Sequence, residues 1–263
     1  MTRIWGVDPQ RVPAGTDRVE LKVVVPEQGC RALGIDPRRG PARRVYFLDT
    51  ADLALYRLGV IVRFRDRPGR RADAVVKLRP VVPRTVPGWL RREDSFAVEI
   101  DAMPGHAVCS GSLKNRLGRH DVARAVAAGR PLTRLLSPRQ RRLLATYAPG
   151  VDLSDLRIYG PIKARCQNLR VRGLDLTAER WTFPDGSDLV ELSTRCPVDQ
   201  AQAIAARVSA ALRAYGVVAA DEQRLKTEVA LSAYRRPASS ARVSQPSFWK
   251  TCVRWVSTVR RVT

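Results

Sequence analysis

The strongest constraint in this sequence is an alternation near its start. Residues 18–25 read Arg-Val-Glu-Leu-Lys-Val-Val-Val. Side chains in a strand alternate between faces, so Val19, Leu21, Val23 and Val25 share one face and Arg18, Glu20 and Lys22 the other. Taken alone, such a strand packs its aliphatic face and shows its charges to solvent. The same alternation, however, returns through the chain. Arg63 and Arg65 share a face in Val60–Arg65, and Lys77 lies with Arg79 in Ala74–Arg79. Glu99 and Asp101 stand opposite Phe96, Val98 and Ile100. Each time the charges are of a kind that suits a phosphate or a metal.

The remaining elements follow from local signals. A loose lead-in over 1–17 holds Pro9, Pro13 and Gly15, and Pro26 stops the first strand before a short helix over 27–33. A strand over 44–48 leads to Asp49-Thr50, which offers a cap to a helix over 51–58 closed by Gly59. The middle is helical over 122–128, 131–136 and 138–147; Ser137-Pro138 sets an N-cap with proline at the first helical position. Strands resume at 162–165 and 168–172, and a hairpin joins 175–183 to 189–194 through Pro184-Asp185-Gly186-Ser187. An amphipathic helix spans about 199–215, and 223–234 is ambiguous between helix and strand. From Arg235 a Pro/Ser/Ala/Arg linker leads to an amphipathic tail around 248–256 that could dock on the body or touch an anionic surface.

Composition narrows the function. The formal net charge is +22, which suits nucleic acid, an anionic surface or a phosphate-rich ligand. Only six of the 47 basic residues are lysine, an imbalance that coding bias also explains. Where arginine is the default cation, a lysine is a local choice, and Lys22, Lys77 and Lys163 all fall in strand-like runs. Aromatic residues are 6% of the chain, few for base stacking, so no specific nucleic acid is expected. No apolar run approaches the ~20 residues of a membrane span, and the first residues lack the apolar core of a signal peptide. Five scattered cysteines without a Cys-x-x-Cys pair read as reduced thiols of a cytoplasmic protein. Two isolated histidines make His-based metal binding or acid–base catalysis a poor reading, and there is no Walker loop or nucleophile elbow.

The order of these elements resembles the CYTH superfamily, the triphosphate tunnel metalloenzymes. The family's opening Glu-x-Glu-x-Lys stands here as Arg18-Val-Glu20-Leu-Lys22, and its Tyr-Tyr/Phe-Asp-Thr landmark as Tyr46-Phe47-Leu48-Asp49-Thr50. Paired arginines match Arg63 and Arg65, the later lysine strand matches Lys77, and the arginine after the helical insert matches Arg165. The late acidic strands match Glu179 and Glu191-Leu-Ser193, and the final lysine matches Lys226. The resemblance covers about 18–233. It implies an α+β fold: a closed antiparallel eight-stranded β tunnel with peripheral helices and a helical insert at about 119–148. It also implies catalytic roles for Glu20, Lys22 and Glu191. Phosphate would be bound by Lys22, Arg63, Arg65, Lys77, Arg79, Arg165 and Lys226, and Mg2+ or Mn2+ by Glu20, Glu179 and Glu191.

Two departures stand out. Arg18 replaces the family's first metal-binding glutamate, and Ser193 replaces the later one. Glu99 and Asp101 lie nearby as further acids. The resemblance therefore implies a triphosphate or polyphosphate ligand, with three activities open. These are metal-dependent hydrolysis of a terminal phosphoryl group, binding without turnover, and adenylyl cyclase chemistry.

Overall fold

The computed structural model describes residues 5, 12–36 and 38–234. The tail from Arg235 and most of the lead-in lie outside the described residues. Nine strands form the body: β1 (Arg18–Val25), β2 (Ala42–Asp49), β3 (Val60–Asp66), β4 (Asp73–Leu78), β5 (Phe96–Met103), β6 (His106–Arg116), β7 (Arg157–Val171), β8 (Leu174–Thr182) and β9 (Asp188–Cys196). They close into one barrel in the order β1-β5-β6-β4-β3-β2-β7-β8-β9. The helices are α1 (Glu27–Ala32), α2 (Ala54–Arg57), α3 (Gly88–Arg91), α4 (Asp121–Ala127), α5 (Pro138–Tyr147), α6 (Ala201–Ala214) and α7 (Lys226–Ser232). No helix among the described residues is long and apolar enough to cross a membrane.

The barrel has nine strands where eight were expected, and it is not wholly antiparallel. An odd number of strands cannot alternate in direction all the way round a ring, so at least one neighbouring pair must be parallel. That pair is β1 with β5, Arg18 lying beside Glu99 and Glu20 beside Asp101. The strand absent from the sequence reading is β6, whose His-Ala-Val-Cys-Ser-Gly-Ser stretch carries little β-branched or aromatic signal. Gly111 is needed there because a Cβ would meet the Phe96 ring at 2.8 Å. The two strands read at 162–165 and 168–172 are parts of the single 15-residue β7.

The aliphatic faces point outward, under helices, and the charged faces point inward. Val19, Leu21, Val23 and Val25 pack with Leu192, Ala205, Val208 and Leu212 beneath α1 and α6. Val62, Phe64, Val76 and Val98 form a second outer core with Leu132, Leu143 and Leu144 of the segment joining β6 to β7. A fully buried Val, Leu or Phe side chain contributes about 1.5–3 kcal/mol, so these two layers hold the wall in register. Gln140 fastens the second layer: its buried side-chain amide donates to the carbonyls of Ala74 and Leu113, each at 3.1 Å.

A third apolar cluster fills one end of the barrel. Val24, Phe47, Ile61, Met103, Trp181 and Phe183 meet Leu225, Ala230 and Leu231 there, so α7 forms part of a floor. The ambiguous 223–234 stretch is thus a helix at its centre. Gln223 precedes it and clips onto β1, accepting from Val24 N at 2.9 Å and donating to Val24 O at 3.0 Å. The helix expected over 51–58 is shorter, because Leu53 takes a left-handed backbone (φ 60°) and regular turns begin only at Ala54. Asp49 accepts from the backbone N–H groups of Thr50, Leu55 and Tyr56 at 2.8–2.9 Å, and burial pushes its carboxyl up to about 6.

Candidate functional site

Beside this apolar cluster, the polar faces of the strands line a cavity of about 950 Å³. At its deep end Asp101 is fully buried among cations. Lys22 Nζ lies 2.6 Å from its Oδ1, while Lys77 Nζ and Ser110 Oγ donate to Oδ2 at 2.7 Å and Arg79 Nη2 pairs with the same oxygen. Burial works against ionisation of Asp101, but Arg79, Lys22 and Lys77 outweigh it and hold the carboxyl well below its usual range. Lys22 also reaches Glu20 at 2.8 Å; burial disfavours its charge, yet Asp101 and Glu20 raise it above the ordinary lysine value. Lys77 lies deeper in positive surroundings, and burial with the adjacent Arg79 lowers it to about 8.

On the opposite wall β8 and β9 bring Glu179 level with Glu191. Lys226, the first residue of α7, ion-pairs with both, at 2.8 Å to Glu191, and Arg43 Nη1 meets Glu179 at 2.9 Å. Burial opposes ionisation of Glu179, but Lys226 and Arg43 hold it far below the usual carboxylate range. Toward the mouth, Arg65 Nε pairs with Asp73 at 2.8 Å. Arg18 Nε meets Glu99 Oε2 at 2.9 Å, and Arg195 Nη2 meets Glu20 Oε1 at 2.6 Å.

Arg63 differs from all of these. It makes no ion pair or hydrogen bond with a described residue; its buried Nε has no partner, which is true also of the Nε of Arg43 and of Arg79. Burial, with Arg65 beside it, lowers its guanidinium to about 10. Lys114, nearer the opening, likewise makes no ion pair among the described residues. A buried donor without an acceptor costs about 1–3 kcal/mol, so the Arg63 Nε is the group here that an anion would relieve, whereas Lys114 is exposed to solvent.

Nine of the expected residues line this one cavity: Glu20, Lys22, Arg63, Arg65, Lys77, Arg79, Glu179, Glu191 and Lys226. Arg165 does not. On β7 the residues facing inward are Cys166 and Asn168, so strand parity sends Arg165 to the exposed outer face, where it donates to Gly40 O at 3.0 Å. Lys163 shares that outer face. The expected metal set also regroups. Among the described residues, Glu20, Glu99 and Asp101 offer oxygens within 4.8 Å of one another, close enough to hold an ion. Glu179 and Glu191 lie outside that group, drawn instead to Lys226. Sequence reasoning missed Arg43, Lys114 and Arg195. Arg195 is two residues past Ser193 on the same face, so extending that alternation by one step would have found it. Arg18 shares a strand face with Glu20, but it is Arg195, level with Glu20 across β1 and β9, that pairs with that glutamate.

No protein-family model and no curated protein sequence matches the chain. Solved structures do. A candidate adenylyl cyclase from Hippeastrum, described as having a dominant triphosphatase activity, aligns over 83% of this chain and 97% of its own, at 15% identity and a TM-score of 0.59. A candidate adenylate cyclase from Bacillus halodurans aligns over 81% and 97%, at 12% identity and a TM-score of 0.55. The chain has the fold of these proteins. The tunnel architecture expected from the sequence resemblance is therefore the one found, with the strand count and the parallel pair corrected as above.

Proposed function

We propose that the tunnel binds the phosphate chain of an inorganic triphosphate, a polyphosphate or a triphosphate ester. The observation that carries this reading is Arg63, which lines the cavity with a buried, unpartnered Nε and makes no ion pair or hydrogen bond among the described residues. Phosphate oxygens supply what it lacks, because a guanidinium fork matches two of them at once. Arg65, Lys77 and Lys114 would flank the same chain, and Lys22 and Lys226 would set the charge behind it.

The second reading is hydrolysis of the terminal phosphoryl group, favoured by the fold shared with the Hippeastrum protein. In that case Glu20, Lys22 and Glu191, the residues that the resemblance marks as catalytic, would act on the reacting group. As the side chains stand, the Glu20–Glu99–Asp101 group fits a divalent ion poorly. Both oxygens of Asp101 and both of Glu20 already face cations, and Glu99 is shared between Arg18 and Arg195.

Calorimetry with inorganic tripolyphosphate tests the first reading. Replacing Arg63 by alanine should cost about 1.5–3 kcal/mol, a loss of tenfold or more in affinity. Unchanged affinity in that variant would place the ligand elsewhere. Phosphate release from tripolyphosphate and nucleoside triphosphates, with and without Mg2+ or Mn2+, separates binding from hydrolysis.

A further inference from the structure

The resemblance implies a divalent ion in this tunnel, whereas the side chains describe another device. A hard cation needs carboxylate oxygens that converge with lone pairs to spare. Glu20, Glu99 and Asp101 converge, but a guanidinium already joins two of them. Arg195 Nη2 lies 2.6 Å from Glu20 Oε1, and its Nε lies 3.6 Å from Glu99 Oε2. Arg18 holds the same Glu99 oxygen at 2.9 Å. Adding Lys22, Lys77 and Arg79, five cations stand within 4.0 Å of these three carboxylates. The group is positive by two charges before any ligand arrives, and a divalent ion would double that excess. Like charges at such separations repel strongly where water is scarce.

We propose that the Arg195 guanidinium, assisted by Arg18, takes the place of a divalent ion here, so that the phosphate chain is bound without metal. This rests on the anion-binding reading above. A guanidinium carries five N–H donors, and the contacts to Glu20 and Glu99 engage only two. The others can meet phosphate oxygens, so Arg195 bridges carboxylate and phosphate as a metal would. The Arg195 and Arg18 side chains are 57% and 45% exposed, which leaves them room to adjust at the mouth as a ligand enters. Magnesium bound to the phosphate chain would cancel charge that this wall is built to attract. It should therefore weaken binding, or leave it unchanged.

The test uses the full chain with inorganic tripolyphosphate in calorimetry, one series in excess EDTA and one in excess magnesium, and manganese alone followed by electron paramagnetic resonance. Affinity in EDTA should equal or exceed that in magnesium, and manganese alone should not bind. Arg195→Ala should lower the affinity in EDTA about tenfold or more and let manganese bind. Should that variant not fold, the wild-type comparison decides by itself. Wild-type binding that needs magnesium, or tight manganese binding by wild type, overturns the guanidinium proposal and leaves the anion-binding reading standing. Absence of tripolyphosphate binding in both series removes both.

Discussion

The two ends of the tunnel handle charge in opposite ways. At the deep end, Asp101 is completely buried and gathers Lys22, Lys77, Arg79 and Ser110 around its two oxygens. Toward the mouth, Arg63 and Lys114 make no ion pair among the described residues, and Arg18 and Arg195 stand half in solvent. Burying an unpaired charge is costly, so a group paired within the chain and one left without a partner serve different ends. The deep cluster pairs each of its cations with Asp101 and fixes the wall, leaving only the Arg79 Nε without a partner there. The outer cations keep donors in reserve: water reaches those of Arg18, Lys114 and Arg195, whereas the buried Nε of Arg63 is left for a ligand to meet.

The largest expected effect breaks the deep cluster. Asp101→Asn keeps the shape and removes the charge that three buried cations share. Removing one partner of a buried ion pair costs about 3–5 kcal/mol, read in urea denaturation. Tripolyphosphate should restore part of this, raising the melting temperature of the variant more than that of wild type, because a bound anion replaces the missing charge. A loss under about 1 kcal/mol would show that the cavity solvates these cations and that the two ends do not differ.

A smaller effect follows from Lys77. Burial, with Arg79 and Lys22 beside it, lowers its ammonium to about 8 against the pull of Asp101 and Glu99. A bound anion favours the ammonium and raises that value. Binding then takes up a proton in the interval between the empty and occupied values, and affinity declines as pH rises above about 8. Calorimetry at mildly alkaline pH, in buffers of different ionisation heat, should register this proton uptake. Lys77→Arg, charged throughout, should flatten the decline, and the same slope in both proteins would remove Lys77 from the ligand's surroundings.

The smallest effect belongs to the outer wall. Arg165→Ala should change tripolyphosphate affinity less than about twofold and stability by less than about 0.5 kcal/mol, because the side chain is exposed on the far side of β7. A substantial loss of affinity would mean that the ligand uses the outer surface as well.

The alternation along β1, β3, β4 and β5 determined that these strands would have one aliphatic and one charged face, and it named most of the residues now found in the cavity. The rarity of lysine carried real information too. Lys22, Lys77, Lys114 and Lys226 all line the tunnel, although Lys163 does not. Local rules sufficed for α5, whose Ser137–Gln140 capping box depends on residues three apart.

What alternation cannot supply is absolute phase or partnership. A period of two says that Arg165 and Cys166 face opposite ways, and only closure of the ring says which way is in. The charged faces turn inward here because helices cover the outside. That inversion depends on α1, and also on α6 and the segment between β6 and β7, which lie far from β1 in sequence. The β6 strand was hidden because its small residues are chosen to fit beneath neighbours such as Phe96, a constraint no local window contains. Ion pairing is likewise a property of space. Arg195 meets Glu20 across 175 residues of chain, and the same contact that brings them together decides whether that glutamate is open to a metal.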